Sequence, residues 1–190
     1  MSSIVDDAEG GFNSFLDEQK KNIKDKKVLV TLAQFDSVYE MVWNGVDLNE
    51  CGYYHLVPRG STALLDSIGK IINDVGTRLS NIPEYQRPGK VIVMIVTDGE
   101  ENSSKEFTKE KIKSIVEHQR NKYSWDFIFL GTTEDAIRDS VSWGLTKSIS
   151  YNSRKIKGMY SSMAENICYA INNNVEVSNK LNNAVDEQDF

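Results

Sequence analysis

The sequence predicts an α/β fold, a doubly wound and mostly parallel sheet with helices on both faces and one antiparallel edge strand, on three observations. Residues 91–96 (VIVMIV) form a continuous apolar run of strand length, the pattern of a parallel strand covered on both sides, and they are the expected central strand. Helix-period and strand-period segments alternate along the chain, and parallel neighbours require such crossovers. With 190 residues, 39% of them apolar, the chain has the length and apolar content for one buried core. Residues 1–172 are therefore expected to form a single domain, and the polar residues 173–190 a frayed tail.

The chain opens into a helix over residues 2–21. Ile4, Val5, Ala8, Phe12, Phe15 and Leu16 recur at helical spacing, and Ser2 or Ser3 followed by Asp6 and Asp7 supplies an N-cap with acids in the first turn. Residues 27–35 are rich in β-branched side chains and end at Asp36 and Ser37; strand character resumes over 39–43, giving an antiparallel hairpin. Residues 44–61 carry Gly45, Gly52, Pro58 and Gly60 without a sustained period and read as loop. A helix over 63–79 buries Leu64, Leu65, Ile68, Ile71, Ile72 and Val75, with Ser61 or Thr62 at its N-cap. Beyond the polar turn at residues 97–102 follow a helix over 108–122, a buried strand over 125–130 (WDFIFL), a helix over 133–143, a short strand over 148–151 and a last helix over 158–172.

Composition removes several function classes. Lysine and arginine number 22 against 28 aspartate plus glutamate, a net charge of −6, so no basic field draws nucleic acid or an anionic membrane surface. Lys20, Lys21, Lys24, Lys26 and Lys27 cluster where the first helix ends and read as partners of its dipole. Cys51 and Cys168 are far apart and have no metal-ligand spacing, which fits a reducing compartment and a cytoplasmic location. No apolar run approaches the roughly 18 residues that span a bilayer, and the amino terminus lacks a basic-then-apolar signal.

Ligand sites in open parallel sheets lie beyond the carboxyl ends of the strands, which selects the loops at residues 59–64 and 97–99. Asp98 directly follows the expected central strand. The hydroxyl of Thr62 either caps its helix or reaches a cation, and capping is its expected role. Glu100 and Glu101 add negative charge and read as solvated turn acids. Ser2, Ser3, Asp6 and Asp7 are read first as helix caps and only second as metal ligands. No phosphate loop, GxSxG elbow or dinucleotide fingerprint occurs. His118 reads as a solvated helix-face residue and His55 as loop packing without an acid partner, so no catalytic residue is assigned.

The segments GSTALLDSIGK, VIVMIVTDGEEN and KSIVEHQRNKYSWDFIFLG, in that order, resemble the von Willebrand factor A family, especially its small bacterial and phage members, over most of residues 1–150. The resemblance implies a Rossmann-like adhesion or binding domain in which a Mg²⁺ or Mn²⁺ ion is held by a DxSxS motif after the first strand, a threonine on a second loop and an aspartate after the fourth strand. Thr62 and Asp98 match the last two. Met1 falls on a methionine that follows DxSxS in the family, so the first central strand and its motif would precede residue 1, through either a shortened start or a degenerate member. Backbone groups left unpaired by a missing strand would each cost about 1–3 kcal/mol when buried. A magnesium-class cation takes about six oxygens, so two ligands leave the metal site incomplete.

The implied function is a protein-interaction module whose partner contributes an acidic side chain to the cation. The alternatives are a Mg²⁺-dependent phosphohydrolase-like enzyme using Asp98 and a metal-free scaffold.

Overall fold

A computed structural model describes residues 2–58, 60–145 and 147–177, with side chains from Val5 onward. Its elements run α1 (Ser2–Asn22), β1 (Leu29–Phe35), β2 (Tyr39–Asp47), α2 (Leu64–Ser80), β3 (Ile92–Val96), α3 (Lys109–Tyr123), β4 (Asp126–Gly131), α4 (Glu134–Ser142), β5 (Ser148–Ser150) and α5 (Ile156–Asn173). The fold is α/β, and its sheets comprise a three-stranded parallel sheet and an antiparallel two-stranded one. Most of the expected tail, residues 178–190, lies outside the described residues. Among the described residues no helix is long and apolar enough to cross a membrane.

By its internal contacts the chain divides into two compact units, one from the described parts of Met1–Val30, Gly45–Pro58 and Tyr151–Phe190, the other from those of Thr31–Asn44 and Arg59–Ser150. In the first unit α1 packs on α5. Phe15 and Leu16 of α1 are buried, as are Ile156, Tyr160, Met163, Ala164, Ile167 and Cys168 of α5. In α5, spacings of three and four place these apolar residues on one stripe. The Phe12 ring meets Tyr54 edge-on at 5.5 Å and Tyr160 at 6.0 Å. Lys20 and Lys21 lie in the last turn of α1, where the first helix ends, whereas the Lys26 ammonium serves a different helix, donating to the Ile171 and Asn172 carbonyls at 2.7 and 3.3 Å at the carboxyl end of α5. Asp7 pairs with Lys157 at 2.7 Å.

The second unit carries the parallel sheet, ordered β3-β4-β5, with Ile92 opposite Asp126 through Val96 opposite Leu130, and Phe129 opposite Ser148 through Gly131 opposite Ser150. Here the expected central strand is corrected. β4 is the middle strand and is buried at every position, whereas β3 stands at an edge with only Ile95 buried. An apolar run marks a strand that meets a core, and it does not say how many neighbours the strand has. The core gathers Leu64, Ile68 and Ile72 of α2, Ile112 and Val116 of α3, and Phe127 and Phe129 of β4 around Trp143 and Leu145. At the amino end of the sheet the buried Asp126 carboxylate is paired with Lys147, with Lys90 at 4.0 Å, so the charge is not left alone in the interior.

The hairpin differs from the expected single antiparallel edge strand, because β1 and β2 form a sheet of their own. Its turn is closed by Asp36, whose carboxylate accepts from the Val38 amide at 2.6 Å. β2 also runs on to Asp47, through Gly45 at φ 72°, a left-handed conformation that glycine adopts without steric cost. β1 and β3 do not pair. The carbonyl of Asp36, just past β1, accepts instead from Ala63 at 2.7 Å, and Thr62 accepts from the Asn102 amide beyond β3 at 3.1 Å. The two residues that lead into α2 thus link the carboxyl ends of both strands.

Close packing fixes one glycine of α2. A methyl at Gly69 would lie 2.4–2.6 Å from three ring atoms of Phe107, while at Gly76 the nearest atom is Gln119 Nε2 at 3.8 Å. Gly69→Ala is expected to displace the ring and cost about 1–3 kcal/mol. Gly76→Ala, on the same helix, is expected to stabilise by about 1 kcal/mol through helix propensity. Urea unfolding midpoints at unchanged m-value check both, and equal effects would contradict the packing argument.

Candidate functional site

The carboxyl ends of β3 and β4 carry a group of oxygens that the local sequence holds in place. Thr97 is buried at the end of β3, and its hydroxyl bonds both the amide and the carbonyl of Gly99, at 3.2 and 3.0 Å. That turn leaves Asp98 exposed at its tip. The Asp98 carbonyl accepts from the Thr132 hydroxyl at 3.0 Å, directly after β4. Thr133 caps α4 by accepting from the Ala136 amide, and its own hydroxyl donates to Glu100 at 3.2 Å.

Thr62 comes to the same place from the second loop. A Cβ on Gly99 would sit 2.8 Å from Thr62 Oγ1, so a larger residue at 99 would push that hydroxyl aside. Asn102 fixes the loop from both sides: its Oδ1 accepts from the Thr62 amide at 2.9 Å and its amide donates to the Thr62 carbonyl. The residues matched by resemblance, Thr62 and Asp98, are therefore brought to one turn. Ser2 and Ser3 have side chains outside the described residues.

Two expectations about this region are corrected. Neither Ser61 nor Thr62 caps α2; the cap position is Ala63, without a side-chain hydrogen bond. Glu101 does the capping from across the site, accepting from the Leu65 amide at 2.9 Å, while Ser104 Oγ accepts from the Asp66 amide at 3.1 Å. Glu101 is thus not a solvated turn acid. Its carboxylate also accepts from the amides of Ser103 and Ser104 and from the Ser104 hydroxyl, at 3.0, 2.8 and 2.7 Å. An anion at a helix amino terminus is favoured by the exposed amides there and by the dipole. The signal for Glu101 was hidden because the local rule finds a plausible cap in Ser61 or Thr62 and so looks no further along the chain.

Asp66 answers in the opposite direction. Buried in the first turn of α2, it accepts from the amides of Lys105, Glu106 and Phe107, each at 2.9 Å. Burial pushes its carboxyl up, but the three amides, joined by the nearby Lys70, prevail and hold it below its ordinary value.

His118 is exposed on α3 with its ring edge-on to Tyr123 at 5.7 Å. His55, in the first unit, does have an acid beside it: Nδ1 lies 3.5 Å from Glu9 Oε1. Glu9 is already engaged by the Leu56 amide at 2.8 Å and the Tyr53 hydroxyl at 3.1 Å, so the pair fastens its loop.

Among the described residues no group of three or more His, Cys, Asp or Glu is placed to hold a metal ion. A hard divalent cation takes about six oxygens. No protein-family model matches the chain, and no curated protein matches it at a significant level.

The lowered carboxyl of Asp66 makes a pH prediction. A group whose folded pKa lies below its unfolded value of 3.8 stabilises the fold fully above that value and loses the contribution as pH falls through the lower folded pKa. Asp66→Asn is therefore expected to cost about 1–3 kcal/mol near pH 7, with the gap to wild type shrinking below about pH 4. Urea titrations across pH 3–7 read this directly, and a gap that widened in acid would contradict the assignment.

Proposed function

We propose that this chain is a non-catalytic protein-interaction module of the von Willebrand factor A kind, with a doubly wound architecture, that binds a partner protein at the loop leading into α2 and the loop after β3. The observation that carries the reading is the approach of Thr62 to Gly99, which joins the hydroxyl of one loop to the exposed Asp98 turn of the other. In the family these two positions serve a Mg²⁺ or Mn²⁺ ion whose shell a partner's acidic side chain completes.

The reading is non-catalytic because the polar groups around Asp98 are engaged in holding backbone: Thr97, Glu101 and Asp66 accept amides, and Thr132 donates to a carbonyl. A catalytic centre instead sets such groups toward a reacting atom. Two buried, free cysteines accord with the cytoplasm.

The test is affinity capture from a lysate of the source cells by wild type, Asp98→Ala and Tyr85→Ala. Tyr85 is 85% exposed on the segment leading into the amino end of β3, away from the proposed face. A protein held by wild type and Tyr85→Ala and lost with Asp98→Ala is expected. Identical capture by all three sinks the reading.

A further inference from the structure

The two loops of the proposed site do not stand independently. α2 begins without a cap of its own, and its first amides are satisfied by residues beyond β3. Those residues would in turn leave the amides of Ser103 and Ser104 without acceptors were Glu101 absent. One carboxylate therefore serves both sides, with Oε2 toward Leu65 and Ser104 Oγ and Oε1 toward the two serine amides. Asn102, the next residue, makes the paired backbone and side-chain bonds to Thr62. These two bonds hold the backbone of Thr62 in the register that sets its Oγ1 against Gly99.

We propose that Glu101 is a positioning residue for the site: by clamping the amino terminus of α2 to the loop after β3, it sets Thr62 against Gly99 and makes the two binding loops move as one. This rests on the reading that Thr62 and Asp98 belong to one site. The clamp works through hydrogen bonds to a charged acceptor, which are stronger than neutral ones, and a glutamine can replace only part of it. Its amide oxygen can accept, whereas its NH₂ cannot take the amide protons that the second carboxylate oxygen now accepts.

The experiment is NMR on the full chain, reading the cross-peak between the Thr62 methyl and Gly99 together with amide exchange at Gly99 and Asn102. The variants are Glu101→Ala, Glu101→Gln and Ile68→Val, the last a core change on the same helix that lowers stability without touching the clamp. Glu101→Ala is expected to lose the Thr62–Gly99 cross-peak and to speed exchange at both amides by roughly tenfold or more. Glu101→Gln is expected to weaken the cross-peak and raise exchange less. Ile68→Val keeps the cross-peak. Should Glu101→Ala fail to fold, Glu101→Gln carries the test. A cross-peak unchanged in Glu101→Gln and in any folded Glu101→Ala overturns the proposal, as does equal loss in Ile68→Val. No ligand enters this measurement, so loss of the cross-peak supports the clamp even where capture is indifferent to Asp98→Ala, the result that would sink the functional reading alone.

Discussion

The need to satisfy the amides at the start of α2 organises the second unit. A helix leaves its first amides without internal partners, and here the preceding residues offer none. Glu101 reaches back to Leu65 while Asp66 reaches out to residues 105–107, so a carboxylate from each side answers the other side's backbone. Phe107, held by Asp66, then packs against Gly69, and Thr108 follows at once as the cap of α3. A polar loop is in this way tied to the core on one side and to the oxygens around Asp98 on the other.

That arrangement also bears on the sheets. The carboxyl ends of β1 and β3 are linked through Ala63 and Thr62, yet the strands themselves remain in different sheets. β4 takes the central place and total burial, and β3 keeps four of its five residues only partly covered. The backbone geometry that gathers Thr62, Asp98 and Thr132 is therefore set by loops and helix caps at the strand ends, where open parallel sheets place their ligand sites.

Much of the fold was legible because its signals are local. The periods of α1, α2 and α5 and the turn residues at Asp36 and Ser37 each act within a few residues of where they are written. The misreadings were nonlocal. The run at residues 91–96 looks the same whether one edge is paired or two, so its pattern alone does not separate an edge strand from a central one. Glu101 carries no local sign of its role, because its partner Leu65 is 36 residues away in the chain. At the site, Asp98 and Thr62 were chosen by resemblance and by the strand-end rule, and the fold sets them at one turn. Glu101, Asn102, Thr132 and Thr133, which hold that turn, carried no pattern that marks a site in a single sequence.

The measurement that bears most directly on this account is a double-mutant cycle between Glu101→Ala and Asp66→Ala, read by urea unfolding. If the two carboxylates hold one loop as a single body, either substitution frees most of it, and the double variant loses less than the sum of the singles by about 1 kcal/mol or more. Additivity within about 0.5 kcal/mol would mean two independent staples, and the mutual clamp at the start of α2 would be contradicted.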